Sequence, residues 1–99
     1  MDYNFDAESR SVFFGGKTVF LSEKEFSLAI FLFANFERAL SRKRIIDAVL
    51  KEEGDEHTLI NSLDLLVFCL RSKLDLSVTS PILQIKSVYG FGYRLIAVD

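Results

Sequence analysis

Positive charge is concentrated in one short stretch of this 99-residue chain, and that stretch could bind phosphate groups. Residues 38–51 carry five basic side chains and one acidic side chain, whereas residues 52–57 carry four acidic side chains and no lysine or arginine. The basic residues are Arg38, Arg42, Lys43, Arg44 and Lys51. At a helix start, such side chains bind phosphate together with backbone N–H groups. A solvated helix start is the competing interpretation, and the net charge of −2 does not decide between them.

Side chains that could support catalysis or bind a metal are isolated in the sequence. His57 is the only histidine and Cys69 the only cysteine. A zinc site needs three or four ligands, and a nucleophilic mechanism needs a base beside the nucleophile. Gly90-Phe91-Gly92 lacks the third glycine of a nucleotide-binding loop. We therefore expect no enzyme activity, no cofactor and no metal site.

The chain is expected to be cytoplasmic and to make no membrane contact. Its longest apolar runs, 28–34 and 65–70, are far shorter than the roughly 18 residues that a membrane span requires. The acidic N-terminus lacks the basic region of a signal peptide. A single cysteine agrees with a reducing compartment, because it permits no internal disulfide.

The elements that must position the charged residues follow from turn residues and hydrophobic spacing. Alternating segments around Gly15-Gly16 predict antiparallel strands, and Ser22 with Glu25 forms a capping box that opens a central helix. The apolar side chains of that helix are Phe26, Leu28, Ala29, Ile30, Leu32 and Phe33. Ser41 and Thr58 are the expected N-caps of two further helices.

One α+β domain over residues 1–99 is therefore predicted. Its parts are a small N-terminal antiparallel sheet (1–21), three helices (22–35, 41–50 and 58–74) and a C-terminal β-hairpin (83–97). A short helix, a turn, a longer helix and a hairpin follow one another in a winged helix-turn-helix. In the second helix, Ile45, Ile46, Val49 and Leu50 are predicted to face inward.

The long helix, which includes SLDLLVFCLRSKL at 62–74, has more apolar side chains than one core face can use. At about 100° per residue, the core stripe consists of Leu59, Ile60, Leu63, Val67, Leu70 and Leu74. The opposite side carries Asn61, Ser62, Leu65, Phe68, Cys69, Ser72 and Lys73. A helix that reads DNA usually presents hydrogen-bonding groups to the base edges. An apolar strip on that side of the helix could instead contact thymine methyl groups or another protein.

Three segments resemble the OmpR/PhoB-type winged-helix effector domain of bacterial response regulators. LSEKEFSLAIFLFANFERALSR (21–42) is similar to its first-helix signature, SLDLLVFCLRSKL to its recognition helix, and IKSVYGFGYRL (85–95) to its wing. The resemblance implies a transcription-regulating domain of a two-component system. Its long helix would enter the major groove and its hairpin the minor groove of double-stranded DNA. The loop at 51–57 would meet RNA polymerase.

Charge, helix position and resemblance together predict a DNA-binding surface on the second helix, the long helix and the wing. Its residues are Arg42, Lys43, Arg44, Asn61, Ser62, Leu65, Phe68, Cys69, Arg71, Lys73, Lys86, Ser87 and Tyr89. Two alternatives stay open, an ion pair of Arg71 with Asp64 and packing of Tyr89 on a hairpin neighbour. Weak binding by the isolated domain is expected, so that dimerisation or a fused domain would be needed to raise its affinity.

The second hypothesis, from a different functional class, is a winged helix that serves as a protein-interaction or dimerisation module. Leu65, Phe68 and Cys69 would form its contact face. Members of the family commonly carry basic or polar side chains at the positions of Leu66, Phe68 and Cys69, so this chain departs from its relatives on that face.

Overall fold

The computed structural model describes residues 3–51 and 54–98. The N-terminal sheet consists of β1 (Asn4–Asp6), β2 (Ser11–Phe14) and β3 (Lys17–Phe20). The helices are α1 (Glu23–Ala34), α2 (Arg42–Ile45), which continues as a π-helical segment (Ile46–Leu50), and α3 (Glu56–Lys73). The second sheet consists of β4 (Leu40–Ser41), β5 (Leu83–Val88) and β6 (Gly92–Ala97). Residues 1 and 2 of the predicted sheet and 52 and 53 of the predicted loop lie outside the described residues.

The predicted hairpin at Gly15-Gly16 is confirmed. β2 pairs antiparallel with β3, and Phe14 stands opposite Lys17. The φ angles of Gly15 and Gly16 are +56° and +76°. A two-residue turn with positive φ at both central positions matches the right-handed twist of the flanking strands, and glycine adopts it without strain.

Helix α1 is central, as its apolar sequence predicted. The capping box is present, because Ser22 Oγ accepts from the Glu25 N–H at 3.2 Å and Glu25 Oε1 accepts from the Ser22 N–H at 2.8 Å. Leu28, Ala29 and Leu32 are buried. The placement of Ile30 in the same apolar stripe was wrong, since its side chain is exposed. It lies about 200° around the helix from Leu28 and therefore faces outward.

Helix α2 starts at the predicted cap. Ser41 Oγ accepts from the Arg44 N–H at 3.1 Å, and all four predicted inward residues of this helix are buried. The π-helical segment was not predicted. It ends at Lys51, whose N–H donates to the Ile46 carbonyl and whose φ of +51° is left-handed.

Helix α3 begins earlier than predicted, because Asp55 and not Thr58 is its N-cap. Asp55 Oδ1 accepts from the Thr58 N–H at 2.9 Å, and Oδ2 accepts from the Thr58 hydroxyl at 3.0 Å. The hydrogen bond from the Thr58 backbone holds the pKa of Asp55 below its usual range. A carboxylate also stabilises a helix start through the helix dipole. None of the described helices is both long and apolar enough to cross a membrane.

The predicted core stripe of α3 is confirmed. Leu63, Val67, Leu70 and Leu74 are buried, and Leu59 and Ile60 are partly buried against the same core. That core is shared with α1, α2 and the second sheet. Its fully buried members include Leu28, Leu32, Leu40, Ile45, Ile85 and Leu95.

The second sheet joins the start of α2 to the C-terminal hairpin. Its strand order is β4-β6-β5, and β5 and β6 form the predicted hairpin, which is the wing. Strand β4 lies directly before α2 and pairs Ser41 with Gly92. The backbones approach closely there, so that a Cβ on Gly92 would fall on the Leu40 carbonyl oxygen and 2.9 Å from the Arg42 nitrogen.

A partly buried ion pair links the end of α3 to the start of α1. Lys73 Nζ donates to Glu25 Oε1 at 2.8 Å and to Oε2 at 3.0 Å. The Glu25 side chain is only 7% exposed. Burial raises the pKa of Glu25, but the hydrogen bonds from Lys73 and Ser22 outweigh it, and the pKa lies below its usual value. The pair therefore fixes the C-terminal end of the long helix.

Replacing Gly92 by alanine should destabilise the fold strongly, because two backbone atoms occupy the space of the new methyl group. We expect a loss of at least about 3 kcal/mol in the free energy of unfolding, measured by urea titration. The control is Gly90→Ala, which faces open space at a φ of +68°. Its backbone strain should cost about 1 to 2 kcal/mol. Equal losses for the two variants would refute the close approach of β4 and β6.

Replacing Lys73 by methionine should destabilise the fold by about 2 kcal/mol at pH 7, because the buried Glu25 carboxylate loses its cation. The folded-state pKa of Glu25 is lowered, so the pair's contribution is complete above the unfolded pKa of about 4.3 and is lost as the pH falls through the folded value. The difference from the parent chain should therefore shrink between about pH 5 and pH 3.

Urea titrations at several pH values check this dependence. The matched control is Lys43→Met, which breaks the exposed pair with Asp47 and should cost less than about 0.5 kcal/mol. A Lys73→Met deficit that stays constant down to pH 3 would show that the lysine acts by packing and not by charge.

Candidate nucleic-acid interface

Helix α2, helix α3 and the wing meet at the buried ring of Tyr93. The Tyr93 hydroxyl donates to Asp64 Oδ1 at 2.6 Å, and Arg42 Nε donates to the same oxygen at 3.3 Å. The Arg42 guanidinium also lies over the Tyr93 ring, 5.1 Å from its centroid. Burial and the hydrogen bond to Asp64 raise the pKa of Tyr93 above its ordinary value. These contacts hold the three elements at a fixed relative position.

Arg71 is also bound inside the domain. Its Nε and Nη2 donate to the Ile85 carbonyl at 3.1 and 2.7 Å, and Nη2 donates to Ser87 Oγ at 3.3 Å. The expected alternative, an ion pair with Asp64, was wrong. Seven residues separate Arg71 from Asp64, which is about 10 Å along the helix axis, whereas the wing carbonyl lies beside the guanidinium. Arg71 therefore fastens β5 to α3.

The long helix consequently presents no free cation on its outward side. Arg71 is held by the wing, and Lys73 is turned toward Glu25 on α1. The helical wheel had placed Lys73 with the outward residues. A four-carbon side chain can reach around the helix, and a buried carboxylate attracts it there.

The described outward face of α3 is mostly apolar or uncharged. Leu65 is 63% exposed and Phe68 is 68% exposed, as predicted. Asn61 and Ser72 are exposed, whereas Ser62 and Cys69 are half-buried. The expected exposure of Cys69 was only partly correct, because Ser62 and Cys69 lie toward the edge of this face on the helical wheel.

Free positive charge is carried by α2 and by the wing, the two elements that contact this helix. Arg44 is exposed in the first turn of α2, and Lys86 and Arg94 stand directly opposite each other on the wing, both exposed. Among residues 3–51 and 54–98, no acidic side chain forms an ion pair with these three. Lys43, by contrast, pairs with Asp47 at 3.1 Å. Like charges opposite each other in a β-ladder repel, so an anion bound between Lys86 and Arg94 would be stabilised.

Arg94 was not among the predicted contact residues, although the sequence contained a signal for it. Lys86 and Arg94 lie four positions on either side of Gly90, the centre of the hairpin turn. Residues equidistant from a symmetric turn face each other across the hairpin, and the register confirms this pairing.

The wing tip carries an exposed aromatic ring. Tyr89 is 102% exposed, so the expected packing on a hairpin neighbour was wrong. It stands in the turn between β5 and β6, where Gly90 adopts a φ of +68°. A turn residue points away from both strands, which leaves its ring without a packing surface. Ser87 is exposed and accepts a hydrogen bond from Arg71.

Ligands for a metal are not assembled in the part of the chain that the structure describes. No group of three or more histidine, cysteine, aspartate or glutamate side chains is placed there to hold an ion. Two described acidic groups near the interface are engaged in other roles, since Asp64 binds Arg42 and Tyr93, and Asp55 caps α3.

Residues 16–95 match the protein family described as "Transcriptional regulatory protein, C terminal". The chain is 40% identical over 94 residues to transcriptional regulatory protein TrcR of Mycobacterium tuberculosis, covering 95% of this chain and 35% of that protein. It is 37% identical over 92 residues to sensory transduction protein RegX3 of the same species, covering 91% of this chain and 38% of that protein. The chain thus spans slightly more than a third of the length of these relatives.

Solved structures with the same fold include DNA-binding domains. The DNA-binding domain of Bacillus subtilis CssR superposes with a TM-score of 0.74 at 29% identity, covering 94% of this chain and 98% of that one. The Klebsiella pneumoniae RstA DNA-binding domain, solved in complex with the RstA box, gives a TM-score of 0.79 at 26% identity, covering 97% and 92%. The resemblance that three sequence segments predicted is confirmed, and the chain belongs to the OmpR/PhoB-type family of C-terminal domains of transcriptional regulatory proteins.

Proposed function

We propose that this chain is the DNA-binding domain of a bacterial transcriptional regulator of the two-component type. Helix α3 lies in the major groove, the wing reaches the adjacent minor groove, and the start of α2 contacts the phosphate backbone. The observation that carries this assignment is the placement of Arg44, Lys86 and Arg94, which are exposed and have no carboxylate partner among the described residues.

Contacts within the domain connect these cations to α3. Arg42, two residues before Arg44, binds Asp64 on α3, and Arg71 on α3 binds the wing carbonyl next to Lys86. Asp64 and Arg71 are seven residues apart, so they lie on the same flank of α3, about two turns from each other. Cationic sites on the two elements that they contact would neutralise phosphates of the DNA backbone, which provides most of the non-specific affinity for DNA.

Two groups can be distinguished among the predicted contact residues. Arg44, Lys86, Asn61 and Tyr89 are exposed and able to contact phosphates, bases or the minor groove. Arg42, Arg71 and Lys73 position the reading helix through contacts inside the domain. Arg94 joins the first group because it shares a face of the wing with Lys86.

Few free cations imply weak binding by one copy of this domain. Affinity falls with each missing phosphate contact, so a second copy or a fused domain would raise it. We propose that the domain acts in the cytoplasm, where its DNA is, and has no catalytic role. The connection between α2 and α3 is the segment that we assign to contact with RNA polymerase, as the family resemblance implies.

Binding to double-stranded DNA should depend steeply on salt concentration. The slope of log K against log [salt] should reflect the number of cationic side chains that contact phosphates. With fluorescein-labelled duplexes and anisotropy detection between 30 and 200 mM salt, Arg44→Ala and Lys86→Ala should each lower the affinity roughly 3- to 10-fold. Each substitution should also reduce the slope of log K against log [salt] by about 1.

Lys17→Ala is the matched control, because this lysine is exposed on the N-terminal sheet and stacks on Phe14. It should leave both affinity and slope unchanged. If no duplex binds at low salt and high protein concentration, the assignment fails. Binding with a slope that Arg44→Ala and Lys86→Ala do not alter would place the phosphate contacts elsewhere.

A further inference from the structure

The outward side of α3 carries large apolar side chains, and this restricts the base pairs that it could recognise. Leu65 and Phe68 are three residues apart and project from one face, while their neighbours Leu63 and Val67 are at most 1% exposed. The two large apolar side chains cannot turn into the core, because the opposite stripe of the helix already fills it. Together these two side chains form an apolar strip on the outward face of α3.

The described residues of this helix offer no free arginine or lysine to read guanine. Arginine or lysine reads guanine through its O6 and N7 atoms. Arg71 donates to the Ile85 carbonyl and Lys73 to the buried Glu25 carboxylate, so using either one on DNA would leave a protein acceptor without its cation. The group that an apolar side chain can recognise in the major groove is the C5-methyl of thymine.

We propose that Leu65 and Phe68 are specificity-determining residues that select thymine by contact with its methyl group. This inference rests on the proposed function and adds the class of sequence that the domain prefers. The binding site should hold a thymine at the base pairs facing the apolar strip, and guanine should not be selected there through α3.

Charge distribution favours DNA over a second copy of this chain as the occupant of the strip. The Asp64–Arg42 contact places α2 beside Leu65, and Arg71, one turn after Phe68, holds the wing. The free cations Arg44 and Lys86 are therefore carried by the two elements that contact α3. These cations complement the phosphates of DNA, whereas a second copy of the same surface would bring like charges together, which opposes self-association.

The test compares thymine with deoxyuridine, which differs only by lacking the methyl group. A preferred duplex is first selected from a random library with the 99-residue chain, and each thymine is then replaced singly by deoxyuridine. At one or two positions the replacement should weaken binding about 3-fold, as expected for one buried methyl group. Leu65→Ala and Phe68→Ala should each abolish the difference between thymine and deoxyuridine at one of those positions.

The control variant is Ile30→Ala, which removes an exposed apolar side chain of α1 and should keep the full discrimination. Circular dichroism melting of each variant checks that the fold is retained. Methyl dependence that disappears in the Leu65 and Phe68 variants supports the proposal.

Three results would overturn it, and they separate its failure from that of the proposed function. Salt-dependent DNA binding with no effect of deoxyuridine at any position overturns the thymine contact alone. Self-association that Phe68→Ser abolishes, with DNA affinity unchanged, assigns the strip to a protein partner. Absence of binding to any duplex at low salt overturns both proposals.

Discussion

The Asp64 carboxylate is the contact on which the geometry of the interface depends. One oxygen of this side chain accepts from Arg42 on α2 and from Tyr93 on the wing, so three separate elements share a single acceptor. Tyr93 is buried, and the guanidinium groups of Arg42 and Arg71 both lie over its ring. Hydrogen bonds to a charged acceptor are stronger than neutral ones, which makes this junction stiffer than apolar packing alone.

That junction uses basic side chains that would otherwise face solvent. Arg42 binds the Asp64 carboxylate, and Lys73 binds the Glu25 carboxylate. Arg71 donates to a backbone carbonyl of the wing. Their partners lie on other elements, so each contact fixes the orientation of the long helix. On the elements that contact α3, free positive charge is carried by the start of α2 and by the wing, on residues whose backbones the same junction holds in place. Contacts inside the domain therefore engage Arg42 and Arg71, which makes the structure more rigid and reduces the positive charge available on the surface.

Local features of the fold could be predicted from the sequence, and features set by long side chains could not. The capping box at Ser22, the glycine hairpin and the core stripe of α3 depend on neighbours within a few residues, and all three are confirmed. Asp55 and Thr58 are both favoured N-cap residues, so the sequence alone does not determine at which of them α3 begins. Arg71 and Lys73 reach several ångströms from their helix, and their partners on β5 and α1 are neighbours only in the folded chain. A helical wheel cannot represent such contacts.

The free cations lie on α2 and the wing, whereas the outward face of α3 is mostly apolar. These two parts of the proposed interface therefore have different roles. Phosphate contacts carry no sequence information, because every nucleotide has the same phosphate group, whereas base edges differ from one base pair to the next. In the proposed complex, Arg44, Lys86 and Arg94 would set how strongly DNA is held without influencing which sequence is held. Leu65 and Phe68 would discriminate among base pairs while adding little to the attraction at long range. Because the Asp64 and Arg71 contacts lock α2 and the wing to α3, the cations would determine where along the groove the apolar strip is placed, and shape would then decide whether the sequence fits.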